Sequence, residues 1–221
     1  MLETSAPCVY LDLASYIPRQ KILERFPHIY ETCLSYGVDI TKAPVPVVPA
    51  AHYFCGGVWV DEWGHTSIRH LYAAGEVACS GVHGANRLGS ASLLEGLTWG
   101  WRAAEDALRH LDEPLATRPD NIPPWKEPEP KYDADPALFK QDMITIQHIM
   151  WNYVGLVRST HRLERAIDDL GHLWREVNRF YRRTRLTDGL IGLRNSVQAA
   201  LIVAWAAWEN KGSLGCHYRV D

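Results

Sequence analysis

A chain of 221 residues in which 47% of positions are hydrophobic has the apolar surface to bury one sizeable core or two smaller ones, which excludes a disordered chain. A formal net charge of −3, with acidic and basic residues interspersed, gives no electrostatic case for nucleic acid or an anionic membrane surface as the main partner, and leaves small anions at local sites. Five scattered cysteines without a C-x-x-C pair suggest neither a disulfide framework nor a zinc site, and they fit a reducing cytoplasm.

In chain order, residues 1–34 hold one strand-like run, "CVYLD", and one helix-like run. That is too little to fold alone, and no nearby sequence obviously pairs the backbone groups of the strand, so a truncated start is expected. "GGVWVD", "HTSI" and "LYAAGEVA" read as short strands joined by turns, Gly64 supplying the tight one. A helix is predicted from about Ser90 onward, because Leu93, Leu97, Trp101, Ala104, Leu108 and Leu111 recur at steps of three and four.

Seven of the thirteen prolines then fall between Pro114 and Pro136, where fixed dihedrals and missing donors forbid helix or central strand. Beyond this linker the pattern is helical. Leu163, Ile167, Leu170, Trp174, Val177 and Tyr181 share one stripe, and Leu190, Leu193, Val197, Leu201, Ala204 and Trp208 share another. With a helix around Met143 to Val154 they predict a small bundle. The run "VQAALIVAWAAW" is read as too short and too closely flanked by charge to span a bilayer, and the N-terminus shows no signal pattern, so a soluble, cytoplasmic protein is expected.

The stretch with chemical content is "LYAAGEVACSGVHGANRLGSASLLE", residues 71–95. An apolar strand is predicted to end at Gly75 and Glu76, followed by a glycine-punctuated loop that enters the helix. Such a loop lets backbone approach a ligand, and the helix start behind it offers N–H groups and a partial positive charge to anionic atoms. Residue by residue, plainer readings compete. His52 in "AAHYFCGG" is either a hydrogen-bonded core histidine or a ligand contact. Arg87 has no acidic neighbour in sequence and suits an anion. Glu76 caps a turn or binds a ligand, and Ser90 and Ser92 are N-cap candidates. His148, His161 and His172 are assigned to surface or packing.

Taken together, "PVVPAAHYFCGGVWVD", "LYAAGEVACSGVHGANRLGSASLLEGL", "YVGLVRSTHRLERA" and "GCHYRVD" resemble the L-aspartate oxidases, a branch of the succinate dehydrogenase and fumarate reductase flavoprotein superfamily. The resemblance covers essentially the whole chain. It implies an α+β fragment of an FAD-binding α/β domain followed by a C-terminal α-helical bundle domain. The implied boundaries are 1–40 for the end of the capping domain, 41–115 for the last segment of the FAD domain, 116–136 for the proline-rich linker and 137–221 for the bundle. No G-x-G-x-x-G turn occurs in the sequence, so the N-terminal half that carries it is expected to be absent. The catalytic arginine of the family is expected upstream of Met1, and no catalytic residue is assigned.

By the same resemblance, Glu76, Ser92 and Leu93 bind FAD, and His52 and Arg87 hold a substrate carboxylate. The implied reaction is oxidation of L-aspartate to iminoaspartate with hydride transfer to FAD, oxygen or fumarate serving as final acceptor, in NAD biosynthesis with quinolinate synthase as the next enzyme. A fumarate reductase or succinate dehydrogenase flavoprotein is the alternative within enzymes. A non-catalytic fragment that packs on the missing half is the alternative outside them. Ala91, His70 and Leu214 stand where relatives often carry asparagine, glycine and arginine.

Overall fold

The computed structural model describes residues 8–114, 117–124, 133 and 135–221. Part of the proline-rich linker therefore lies outside the described residues. The chain divides into two compact units, residues 1–54 and 55–221.

In the first unit, the strand Val9–Leu11 (β1) pairs antiparallel with Val45–Val47 (β2), Tyr10 facing Pro46. The sequence reading found no partner for "CVYLD"; the partner is "VPV", thirty-odd residues on, obscured because Pro46 breaks any strand-like run. The single helix-like run is two helices, Arg19–Arg25 (α1) and Pro27–Ser35 (α2). Pro27 sits at the first position of α2, where its missing N–H costs nothing but where α1 cannot continue. Ile22 and Ile40 are fully buried.

The second unit begins with Val58–Trp59 (β3), which pairs in parallel with Ala78–Cys79 (β4). Between them the chain turns at Gly64, and His65 bridges Tyr72. "LYAAGEVA" is not one strand. It is the Tyr72 bridge, then a 3-10 turn over Gly75–Val77, then β4, because Gly75 takes φ 78° and turns the chain. The predicted long helix is present as Ser92–Arg109 (α3).

The bundle is made by Pro136–Tyr153 (α4), Thr160–Tyr181 (α5) and Asp188–Glu209 (α6). Asp135, Ser159 and Thr187 cap the three helices, each side chain accepting a backbone N–H of the first turn. Leu163, Leu170 and Val177 of α5 meet Leu193, Val197 and Ala204 of α6, with Ile146 and Ile149 of α4 completing the core. The run "VQAALIVAWAAW" lies inside α6, whose 22 residues are long and apolar enough to cross a membrane by length and composition. The twelve-residue run therefore understated the helix. Here its inner face, Leu190, Leu193, Val197, Ala200, Ala204 and Ala207, is buried in the described fold.

Candidate functional site

The loop 80–91 is set by a buried polar latch. His83 accepts the Leu88 N–H at Nδ1 (3.0 Å), so its proton resides on Nε2, which donates to Glu95 Oε2 at 2.9 Å. The Ser80 hydroxyl donates to the other carboxylate oxygen. Glu95, on the first turn of α3, is 4% exposed, so these donors stand in for the water it has lost. Both ends of the loop are thereby tied to one helix. None of these three residues was singled out from sequence. The contact spans twelve positions and has no local signature; only the resemblance to "HGANRL-x-S-x-SLLE" put His83 and Glu95 in one motif.

Within this frame the structure brings Arg87 and Ser92 together. Arg87 Nε donates to Ser92 Oγ at 3.1 Å, so Ser92 is not a cap but a brace for the guanidinium. The N-cap of α3 is Ala91, which has no side-chain acceptor. Ser90 takes φ 66° on the approach and caps nothing in α3. The first N–H groups of the helix consequently have no side-chain cap.

Leu93 at the helix start is 84% exposed, and Leu94, Leu97, Val77 and Leu88 are exposed with it. Glu76 is exposed in the 3-10 turn, which packs against α3; a side chain on Gly96 would come within 3.7 Å of Gly75 Cα. His52 is exposed and belongs to the first unit, the other four assigned residues to the second.

A C-terminal segment completes the loop from outside. Cys216 donates its backbone N–H to Ala85 O at 2.9 Å, and its thiol lies 3.0 Å from Asn86 Oδ1. Gly215, at φ 59°, sits so close that a Cβ would fall 2.1 Å from Ala85 O. Arg158 holds His217 Nδ1 at 2.7 Å. Leu214, the third departure noted from sequence, is exposed.

A second polar cluster braces the opposite end of α3. His65 lies 2.8 Å from Asp61 Oδ2 and 2.7 Å from Asp106 Oδ2 through its two ring nitrogens. The hydrogen bonds to Asp61 and then Asp106 raise its pKa above that of a free imidazole. The Tyr72 hydroxyl donates to the same oxygen of Asp106, and Tyr72 followed by His65 holds the Asp106 carboxyl below its ordinary range. His70 occupies the left-handed region at φ 64°, the conformation for which glycine is better suited.

The site suits a planar, partly apolar cofactor with a polar rim. The start of α3 has no side-chain cap, Leu93, Leu94 and Val77 are exposed, and added Cβ atoms at Gly75, Gly81 and Gly84 would meet nothing within 4 Å. Among the described residues no group of three or more His, Cys, Asp and Glu is arranged to hold a metal ion.

Residues 1–93 match the FAD binding domain family and residues 143–221 the fumarate reductase flavoprotein C-terminal family. The chain is 44% identical over its whole length to an L-aspartate oxidase of Yersinia pestis, and 40% identical over 96% of its length to a chloroplastic L-aspartate oxidase of Oryza sativa. It spans 41% of the first relative and 35% of the second. Among solved structures, a quinol-fumarate reductase with menaquinol superposes with a TM-score of 0.79 at 31% identity, covering 98% of this chain and 40% of that one. Sdh1 of Mycobacterium smegmatis gives 0.72 at 30%, covering 96% and 37%. Its two matched segments are thus similar to the FAD binding domain and the fumarate reductase flavoprotein C-terminal families, and along its whole length the chain is similar to L-aspartate oxidases.

Proposed function

We propose that this chain forms one wall of the active site of an FAD-dependent L-aspartate oxidase, which converts L-aspartate to iminoaspartate. The observation that carries the reading is full-length identity of 39–44% to proteins of that name, against 30–31% to the fumarate reductase and succinate dehydrogenase structures.

FAD, when bound, supplies the two-electron acceptor for the Cα–H hydride. The remaining work belongs to side chains and backbone. Arg87 offers a guanidinium to a substrate carboxylate, and its Nε–H bond to Ser92 Oγ orients the group. His52 is assigned to a substrate carboxylate as well. Glu76 accepts hydrogen bonds from the ribityl hydroxyls, and the backbone N–H groups of Ser92 and Leu93 meet the electron-rich edge of the flavin, where the helix start stabilises negative charge. Holding the dicarboxylate in one orientation is what makes the transfer efficient.

The domain boundaries 1–40, 41–115, 116–136 and 137–221 form part of this proposal. So do fumarate as an alternative acceptor, quinolinate synthase as a partner that takes the product, the remaining half of the same protein as the piece that completes the FAD domain, and a soluble, cytoplasmic setting.

The test is reconstitution of this chain with the remaining part of the Yersinia pestis relative. Bound flavin with ammonia release from L-aspartate is the expected result. Oxidation of succinate without ammonia from aspartate would transfer the site to the fumarate reductase branch, and Arg87→Ala with unchanged aspartate kinetics would remove Arg87 from it. Flavin binding by this chain alone would show that Glu76 and the α3 start suffice for a cofactor site; its absence would leave these residues as one wall of a two-part site.

A further inference from the structure

The end of α5 and the segment directly after it carry a concentration of positive charge that the flavin site does not use. From Arg175 to Arg185 the sequence "REVNRFYRRTR" has five arginines and one acid in a chain of net charge −3. Arg175 and Arg179 lie one turn apart on α5, and Arg182 and Arg183 stand in the turn directly after its end at Tyr181. With Trp174 and Asn178 they line a concavity of about 380 Å³.

Helix-end electrostatics suit Arg179 and Arg182 at the C-terminal end of α5 but do not reach Arg175. A helix terminus offers about half a charge, confined to its last turn, whereas Arg175 stands six positions before the end of α5 at Tyr181. Nor are the charges neutralised locally. Among the described residues Arg179 pairs with Glu176 at 3.1 Å, while Arg175, Arg182 and Arg183 have no carboxylate within salt-bridge distance. On the same helix Arg165 pairs with Asp169, and elsewhere Arg69 pairs with Glu113.

Two of the lining residues, Trp174 and Asn178, are held by Arg194. Arg194 stacks on Trp174 and Tyr181, with centroid distances of 5.3 and 4.8 Å, and its Nε donates to Asn178 Oδ1 at 3.1 Å. With its carbonyl oxygen engaged, Asn178 keeps its amide N–H₂ for another acceptor.

We propose that this face is an anion site for a small molecule bearing adjacent phosphate groups. Unpaired guanidiniums match phosphate oxygens bidentately, and several cations around one concavity favour a multivalent anion over a single carboxylate. The volume suits a small ligand. A nucleic acid would call for a basic domain with a pI above about 9, against a sequence pI near 6.4 here.

The test is calorimetric titration of the whole 221-residue chain with inorganic tripolyphosphate and, in parallel, ADP. Saturable binding of both is expected, weakened about tenfold or more in Arg182→Ala/Arg183→Ala and by added salt, and unchanged in Arg165→Ala on the same helix. Equal affinities would support a site that reads phosphate alone, and tighter ADP binding would support one that also uses the Trp174 ring. Absence of saturable binding by either ligand would overturn the proposal. Wild-type affinity in the double alanine variant, with unchanged helical circular dichroism, would overturn it equally. Should that variant lose its fold, lysine at both positions preserves the charge; a partial loss of affinity supports the bidentate site and full retention refutes it.

Discussion

In the bundle, the apolar stripes of α5 and α6 point inward and vanish from solvent, with Leu163, Leu170 and Val197 at 0% exposure. In α3 the order is reversed. Its buried residues are two carboxylates, Glu95 and Asp106, while Leu97, Trp101 and Leu108 are 71, 69 and 67% exposed. Both regions obey the same helical periodicity, so periodicity identifies which residues share a face and says nothing about what covers that face. The bundle is held by apolar packing; the segment around α3 is held by His83 with Glu95 and His65 with Asp106, each bridging a loop to the helix.

That contrast can be broken by substitution. Leu170→Ala leaves a cavity in the bundle and is expected to cost about 2–5 kcal/mol in a chemical-denaturation measurement; a loss near zero would mean the core relaxes freely there. Glu95→Ala strips the acceptor from His83 and Ser80, and an unpaired buried donor costs about 1–3 kcal/mol. The expected sign of that change is local: amide exchange of Leu88 accelerates while that of Val197 does not. Uniform acceleration would show that the loop and the bundle unfold as one.

Leu97→Ser tests the exposed stripe. On the surface it should change stability by less than about 0.5 kcal/mol, and it should raise solubility, because it removes apolar area already in water. A large loss of stability would place that side chain inside a packed interface. The smallest effect is the pH dependence of the His65 bridge. Its folded pKa is raised by Asp61 and Asp106, so its stabilising contribution is complete below about pH 6.5, the free-imidazole value, and is lost as pH rises through the higher folded value. Denaturation midpoints of the wild type and His65→Gln should therefore differ more at pH 6 than at pH 9; an equal difference at both would mean the ring acts through packing alone.

Much of the helical part was legible from the sequence because its signals are local. Proline punctuation ended the first region, and the caps Asp135, Ser159 and Thr187 stand directly before the periodic stripes. The runs that hold β1 and β3 were read as strands but their pairing was not, since two- and three-residue ladders carry no periodicity, and the partner of β1 contains Pro46. Glu76, Arg87, Ser92 and Leu93 were put forward as site candidates through their motif. Their supports, Ser80, His83, Glu95 and the Gly215–Cys216 contact, depend on pairs up to 130 positions apart, which no window of sequence displays.

The seat of Gly215 and Cys216 on Ala85 and Asn86 has a consequence for biosynthesis. Asn86 is translated 130 residues ahead of the cysteine that holds it, an interval of roughly ten seconds at about 5–20 residues per second. Throughout that interval the ribosome carries a nascent chain in which the loop 80–91 lacks its outer support, so this loop is among the last parts of the unit to settle, after the segment that encodes it has long been made.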